Sequence, residues 1–170
     1  MKYNSETNFL DEVEMCLKNN GCKTWREEIP DACKNWKHPY QVDLIFYRND
    51  LGYIGVEGKN INTLRSGGKI AEGVNQIINK YLPQTYFNGI TIKKWAIVVP
   101  LNTIWDNVNE EFSSIIKNEI IIFLRGFLKN LFNISLLEYY PERKWMKEKI
   151  TIDAYTKQVI KIGGESKYDD

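Results

Sequence analysis

Apolar and polar positions alternate along the chain in blocks that predict a helix, three strands, a second helix and a fourth strand. The first helix is expected over residues 5–18, with Ser5 as its N-cap. The run Asn19-Asn20-Gly21 predicts where it ends. Five apolar residues recur at helical spacing and should form its buried stripe: Phe9, Leu10, Val13, Cys16 and Leu17.

Three strands are predicted after this helix. The alternating stretch 23–29 (KTWREEI) reads as a strand that ends before Pro30. A polar loop follows, and two further strands are expected at about 41–47 and 53–59. Residues 48–51 (RNDL) have the composition of a tight turn, so these two strands should form a hairpin.

The second half of the chain continues the α/β pattern. A helix is predicted over about 68–82 after the sequence RSGG, and 93–100 (KKWAIVVP) reads as a strand buried on both faces. Another helix is expected at 105–117. Residues 118–140 fit either a helix followed by a strand or two strands, and 149–163 reads as a terminal hairpin. The order of elements predicts a mixed-sheet α/β fold, with one domain over 1–162 and a polar tail at 163–170.

Composition narrows the chemistry that this domain can perform. The 170 residues carry 23 basic and 22 acidic side chains, three cysteines and a single histidine. Three cysteines without metal-ligand spacing argue against a disulfide framework and a zinc site, and one histidine argues against histidine-based nucleophilic catalysis. The remaining chemistry is that of carboxylates and lysine, which suits a hard metal with oxygen ligands.

No targeting or membrane-spanning segment is apparent in the sequence. The longest apolar stretch is interrupted by Arg125 and Gly126, well short of the roughly 20 residues that cross a bilayer. The first residues are too acidic and polar for a signal peptide. We therefore expect a soluble, cytoplasmic protein.

An acidic residue on each strand of the predicted hairpin carries the functional hypothesis. Glu57 and Lys59 share one face of the second strand, and Asp43 lies on the first. If the loop is symmetric about Asp50, Asp43 lies directly opposite Glu57, with Cβ atoms about 5 Å apart. A divalent cation would offset the repulsion between them, whereas a one-residue slip would place the acids on opposite faces. The alternative is a set of unrelated surface charges.

The spacing of these residues resembles the D…(D/E)-x-K signature of the PD-(D/E)XK nuclease superfamily. Asp43 is followed after thirteen residues by Glu57-Gly58-Lys59, and the order of elements over about 5–100 is similar as well. The resemblance implies a restriction-endonuclease-like core. It also implies that Asp43 and Glu57 bind Mg²⁺, with Mn²⁺ able to substitute, and that Lys59 contacts the water or the scissile phosphate.

Two further residues enter through the same resemblance. Glu6 matches a first-helix glutamate that can complete the metal ligands, although an acid in a helix's first turn also suits the helix dipole. Gln76 is similar to a glutamine that several branches of the superfamily place near the active site. Tyr81 follows Gln76 at i+5, so the Q-x-x-x-Y pattern of RecB-type exonucleases is not reproduced, and Val42 stands in place of the proline that gives the superfamily its name.

The function implied is a metal-dependent DNA endonuclease. A Holliday junction resolvase or an exonuclease of the same fold, and a non-catalytic nucleic-acid-binding module, are the alternatives; a net charge of +1 argues against the resolvase. A protein-interaction domain would be favoured if residues 119–132 exposed an apolar face. Cutting both strands of a duplex would favour a homodimer.

Four residues outside the signature are candidates for contact with DNA. Arg65 and Lys69 flank a glycine pair at the start of the second helix, where they are suited to bind phosphate, or they belong to a solvated loop. Trp36 and His38 lie in the polar loop before Asp43, where they are candidates for base stacking.

Overall fold

The computed structural model describes residues 3–61, 67–100, 114–115, 117–118, 133–153 and 160–163. These residues form a mixed α/β structure, as predicted. The helices are α1 (Glu6–Asn19) and α2 (Gly67–Gln76), and the strands are β1 (Lys23–Glu28), β2 (Val42–Arg48), β3 (Gly52–Gly58), β4 (Thr85–Tyr86), β5 (Ile90–Thr91), β6 (Lys94–Pro100), β7 (Asn133–Tyr140), β8 (Trp145–Asp153) and β9 (Lys161–Ile162).

Helix α1 has the boundaries that its caps predict. The Ser5 hydroxyl accepts a hydrogen bond from the Asn8 N–H at 3.1 Å, which satisfies one of the free donors of the first turn. The helix ends at Asn19, and Gly21 then takes a φ of +78°, a conformation that glycine adopts without strain. All five residues of the predicted apolar stripe are buried.

Strands β1, β2 and β3 form an antiparallel meander whose register matches the prediction. Leu44 lies opposite Val56, and Arg48 lies opposite Gly52, so the loop is symmetric about Asp50. Gly52 has a φ of +73° at the end of this turn. The observed strands are shifted by one residue from the predicted bounds, and the predicted register is confirmed from the Leu44–Val56 pair to the Arg48–Gly52 pair.

The rest of the sheet extends from β3. Strand β6 pairs parallel with both β3 and β7, and β8 and β9 continue the sheet antiparallel, in the order β1-β2-β3-β6-β7-β8-β9. The buried strand predicted at 93–100 is confirmed, since Trp95 to Val99 are fully buried. The predicted terminal hairpin corresponds to β8 and β9, although β8 begins earlier, at Trp145.

The predictions for 105–140 are covered only in part. Residues 114–115 and 117–118 are helical, and β7 occupies 133–140. The remainder of the helix predicted at 105–117, residues 119–132 and the tail after 163 lie outside the described residues. No helix in the described part of the chain has the length and apolarity needed to cross a membrane.

The sheet packs a core against each of its faces, which explains why its central strands are apolar throughout. On one face, Ile45 and Ile97 pack with Ile70 and Val74 of α2. On the other, side chains of α1 pack against neighbouring residues of the same strands, including Phe9, Val13, Leu44, Phe46 and Val98. The three cysteines are buried and unpaired by disulfides, as small apolar residues would be.

The second helix differs from its prediction at its C-terminal end. Regular α-helix ends at Gln76, and residues Ile77–Tyr81 form a π-helical turn closed by a hydrogen bond from the Leu82 N–H to the Ile77 carbonyl at 2.7 Å. The apolar residues of this turn, Ile77, Ile78 and Tyr81, are buried. A π-turn inserts an extra residue per turn and is often found at functional sites.

A small hairpin of β4 and β5 was not predicted. The carboxylate of Asp31 holds it, accepting hydrogen bonds from the Thr85 hydroxyl at 2.9 Å and from the backbone N–H groups of Asn88 and Gly89 at 3.1 and 2.9 Å. These donors, together with an ion pair to Lys34 at 3.0 Å, outweigh the opposing effect of burial and lower the pKa of Asp31 to about 2. The hairpin therefore depends on a residue more than fifty positions earlier in the chain.

Candidate active site

Glu57 and Lys59 form a buried ion pair at the C-terminal end of β3. The Nζ of Lys59 lies 2.9 Å from Oε1 of Glu57, and the two residues are only 6% and 3% exposed. Both side chains project to the α2 face because they lie two positions apart on an extended strand. Charged residues are rarely buried unless they are paired, and a surface salt bridge would retain more solvent than this. The interpretation as ordinary surface charges is therefore wrong for this pair.

Asp43 lies beside this pair on β2. The register of the hairpin, continued one step beyond Leu44 and Val56, places Asp43 opposite Glu57. Its Oδ2 accepts a hydrogen bond from the Gly58 N–H at 2.8 Å, which anchors the carboxylate at the edge of the ladder. Burial raises the pKa of Asp43, the Gly58 hydrogen bond opposes that rise, and the negative charge of Glu6 adds to it.

The electrostatics of Glu57 are set by its own burial and by the charges beside it. Burial raises its pKa to about 7, and the nearby charge of Asp43 contributes in the same direction against the attraction of Lys59. Oε2 of Glu57 is buried and has no hydrogen-bond partner among the described residues. Burial alone would lower the pKa of Lys59, but its interaction with Glu57 outweighs burial and raises it. The site therefore holds a charged lysine and one carboxylate oxygen without a partner.

Helix α2 crosses directly above this group. A Cβ at Gly73 would lie 3.2 Å from Cε of Lys59 and from Cδ1 of Ile97, so any larger residue would require these two side chains to shift by a few tenths of an ångström. One turn later, Oε1 of Gln76 accepts a hydrogen bond from Nζ of Lys59 at 3.2 Å. The structure thus brings Asp43, Glu57, Lys59 and Gln76 together.

Glu6 lies at the rim of the site rather than inside it. It is exposed at the start of α1, with Oε2 3.5 Å from the backbone nitrogen of Asn60. It is close enough for its charge to raise the pKa values of Asp43 and Glu57. Both roles that the sequence allowed for Glu6 are compatible with this position.

Asn60 is a residue of this site that sequence analysis did not single out. It is 7% exposed, its amide Nδ2 donates to the Tyr3 carbonyl at 3.1 Å, and its Oδ1 has no partner among the described residues. Lys69 approaches its carbonyl at 3.5 Å. Asn60 therefore joins the segment before α1 to the end of β3 and the start of α2. The only signal in the sequence is a polar residue directly after Lys59.

Three of the four residues predicted to contact DNA lie in the described part of the chain, and all three are exposed. Lys69 is exposed near the start of α2, whereas Arg65 lies outside the described residues. Trp36 and His38 are exposed in the loop between β1 and β2. Trp36 packs edge-on against Tyr40, with ring centroids 5.3 Å apart.

The side chains of this site offer a small number of ligands for Mg²⁺, the metal that the resemblance implies. In the described part of the chain, no three His, Cys, Asp or Glu side chains are grouped closely enough to hold an ion by themselves. Two carboxylates, one of them with a buried oxygen without a partner, nevertheless suit a hard cation that keeps several water ligands, as Mg²⁺ does. The residues present therefore fit Mg²⁺ as partial protein ligands.

Comparison with known proteins adds no relative to this description. No family model, curated protein or solved structure matches the chain.

Proposed function

We propose that this chain is a metal-dependent DNA endonuclease of the PD-(D/E)XK type, built on a restriction-endonuclease-like core. The observation that carries the proposal is the buried Glu57–Lys59 pair with the half-buried Asp43 beside it and Gln76 of α2 in contact with Lys59. Folding gains little from placing a second carboxylate beside a buried ion pair. Perturbed ionisable groups that converge in this way are typical of catalytic centres.

The order of elements supports the same proposal. Helix α1, the meander of β1 to β3, helix α2 and the parallel strand β6 follow one another as the superfamily's core requires, with only the π-turn and the β4–β5 hairpin between α2 and β6. The carboxylates lie where β2 and β3 meet, beneath α2.

Asp43 and Glu57 are the residues that would hold Mg²⁺, with Glu6 at the rim as a further oxygen ligand. The bound metal would supply an activated water and stabilise negative charge on the phosphate and leaving oxygen. Lys59 contributes a positive charge that is fixed in position before substrate arrives, because Glu57 and Gln76 hold its ammonium group. Such prepositioned charge stabilises the transition state without reorganisation. Gly73 lets the backbone of α2 lie close to the side chains of Lys59 and Glu57.

A plasmid-nicking assay tests the proposal. Supercoiled DNA is incubated with the protein in Mg²⁺, Mn²⁺ or EDTA, and Asp43→Asn is compared with Asp50→Asn. Asp50 is a matched control because it is an exposed acid at the turn of the same hairpin. We expect metal-dependent nicking by wild type and by Asp50→Asn, and none by Asp43→Asn.

The substrate range separates the alternatives. Linear, circular, single-stranded and four-way DNA are tested in parallel. Cleavage confined to four-way DNA would indicate a resolvase, and degradation only from ends would indicate an exonuclease. Binding without cleavage of any substrate by the folded protein would overturn the enzyme and favour a non-catalytic module.

A further inference from the structure

Trp36 is exposed in a way that the fold does not explain. In the described part of the chain, the exposed large apolar side chains are Met15 and Trp36, and Trp36 leaves 49% of its surface in solvent. Burying an indole is among the largest single apolar contributions available to a protein. The exposed indole therefore offers a large apolar face on which a ligand can pack.

Contacts within the loop hold Trp36 in position. Cys33 is fully buried at the end of a short 3-10 turn, Asp31–Cys33, and its carbonyl accepts a hydrogen bond from the Trp36 N–H at 3.0 Å. The indole packs edge-on against Tyr40, and Tyr40 in turn packs against the core on the α2 face. An anchored aromatic ring loses little conformational entropy on binding a ligand.

This aromatic pair lies beside the candidate active site. The Tyr81 hydroxyl donates to the Gln41 carbonyl at 2.9 Å, and the charges of Glu57 and Asp43 add to the burial that raises the pKa of Tyr81. This hydrogen bond ties the end of the loop to the π-turn after Gln76, and Tyr81 lies within electrostatic range of both carboxylates. Two residues lie between Tyr40 and Asp43, so their Cα atoms are at most about 11 Å apart.

The surroundings of the pair are basic although the chain as a whole is nearly neutral. Nζ of Lys80 lies 5.5 Å from the centroid of the Tyr40 ring, and Lys37 and His38 are exposed in the same loop. Besides the carboxylates of the candidate site, the acids near this loop are Glu28 and Asp31; both lie within electrostatic range of Lys34, and Asp31 is also engaged by the β4–β5 hairpin. The local charge therefore favours a polyanion over an apolar peptide or a neutral surface.

We infer that Trp36, Tyr40 and Lys80 form a platform that stacks an unpaired nucleobase next to the cleavage site. The bases of an intact duplex have their faces covered by their neighbours, so an exposed indole can stack only on a base outside the helix. Lys80 and Lys37 contact the flanking phosphates. The inference rests on the proposed function and narrows its substrate to nucleic acid with unpaired bases beside the scissile phosphate: a single strand, a gap or a flap.

Equilibrium binding without metal tests the platform separately from cleavage. The full-length protein is titrated in EDTA against labelled oligonucleotides of one sequence, as single-stranded DNA, single-stranded RNA, intact duplex and duplex with a three-nucleotide gap. Trp36→Ala is compared with Trp36→Phe, which keeps an aromatic face, and with Met15→Ala, which removes the other exposed apolar side chain. Melting curves verify that each variant is folded, as expected for positions outside the core.

We expect wild type to bind single-stranded and gapped probes more tightly than the duplex. Trp36→Ala should weaken binding of the unpaired probes about 5- to 100-fold and leave duplex binding nearly unchanged, whereas Trp36→Phe should retain most of the affinity. Met15→Ala should behave as wild type. Unequal binding of the DNA and RNA strands would identify which nucleic acid the platform takes.

Several results would overturn the platform. They are equal binding of unpaired and duplex probes by wild type, no nucleic-acid binding at all, an equal loss for every probe in Trp36→Ala, or self-association that Trp36→Ala abolishes, which would indicate a protein contact. A preference for unpaired bases without metal-dependent cleavage would leave the platform standing and overturn the nuclease. Cleavage without that preference would support the nuclease and overturn the platform.

Discussion

A lysine and a carboxylate that are both taken out of water have lost the hydration of two charges, and their mutual attraction rarely does more than offset that loss. The Lys59–Glu57 pair is in this position, and the carboxylate of Asp43 beside it adds repulsion. Each of these side chains would lose less hydration free energy at an exposed position of the fold. Their arrangement is better explained by what they bind than by what they contribute to stability.

Lys59→Ala should keep the fold and remove cleavage. Glu57 can become neutral when its partner is lost, because its pKa is already about 7, so the variant need not bury an isolated charge. The loss of a prepositioned positive charge should reduce the rate about 10²- to 10³-fold. The measurement is metal-dependent nicking, with the exposed Lys23→Ala as the control. A folded Lys59→Ala protein with full activity would contradict the role given to this lysine.

The stability of the metal-free protein should fall as the pH rises from about 5 to 7. Glu57 has a raised pKa, so within this window the folded state holds a proton that the unfolded state has released, and raising the pH favours unfolding. Carboxylates with lowered pKa values, such as Asp31 and Glu14, complete their contribution below this window. The expected loss is on the order of 1–3 kcal/mol.

Urea denaturation in EDTA across this pH range measures the effect. Glu57→Gln removes the titrating group while keeping an oxygen that Lys59 can contact, so its stability should depend much less on pH. Equal slopes for wild type and Glu57→Gln would show that Glu57 titrates normally in the folded protein.

At the scale of the elements, helix α2 is placed so that its backbone approaches the site. Gly73 makes this approach, whereas Gly68, in the same helix, has open space around its Cβ position. Substituting each glycine with alanine therefore gives a matched pair of variants in one helix. Gly73→Ala places a Cβ against residues of the site, and Gly68→Ala does not.

Gly68→Ala should stabilise the protein by about 0.5–1 kcal/mol, because alanine loses less entropy than glycine in a helix, and it should leave cleavage unchanged. Gly73→Ala should gain less stability and lose activity, because its Cβ would press against Lys59 and against Ile97, each 3.2 Å away. Melting curves and nicking rates of the two variants give the comparison. Similar activity in both would mean that the helix can retreat without disturbing Lys59.

Local sequence was enough to predict the hairpin that carries Asp43 and Glu57. A short polar turn flanked by apolar strands allows few registers, and burial of both faces selects among them. The β4–β5 hairpin was not predicted because its strands have two residues each and depend on the distant Asp31. The π-turn after Gln76 was missed for a related reason, since its buried residues follow a spacing close to that of an α-helix.

The residues of the candidate site also divide into those that local sequence predicts and those that depend on packing between distant elements. Glu57 and Lys59 could be placed on one face from strand alternation, and Asp43 could be added from the symmetry of the turn about Asp50. Gln76 came from the resemblance, and its contact with Lys59 depends on how α2 crosses the sheet. The close approach of Gly73 and the buried position of Asn60 arise from packing between elements distant in sequence, which no local pattern encodes.

At the scale of the whole molecule, a cation shared by Asp43 and Glu57 would couple metal binding to folding. A ligand that binds only the folded state stabilises it by an amount that rises with the logarithm of its concentration relative to its Kd. At pH 8, above the raised pKa of Glu57, both carboxylates are ionised and repel each other in the metal-free protein. Metal should therefore convert a destabilising pair into a stabilising site.

Four melting curves at pH 8 test this claim most directly: wild type and Asp43→Asn, each in EDTA and in Mg²⁺. Asparagine keeps an oxygen that can accept the Gly58 N–H but removes the charge, so Asp43→Asn should melt higher than wild type in EDTA. Mg²⁺ should raise the Tm of wild type and hardly change that of Asp43→Asn, while Asp50→Asn should respond to metal as wild type does. Parallel shifts of wild type and Asp43→Asn on adding metal would contradict a shared cation and remove the main physical support for the nuclease.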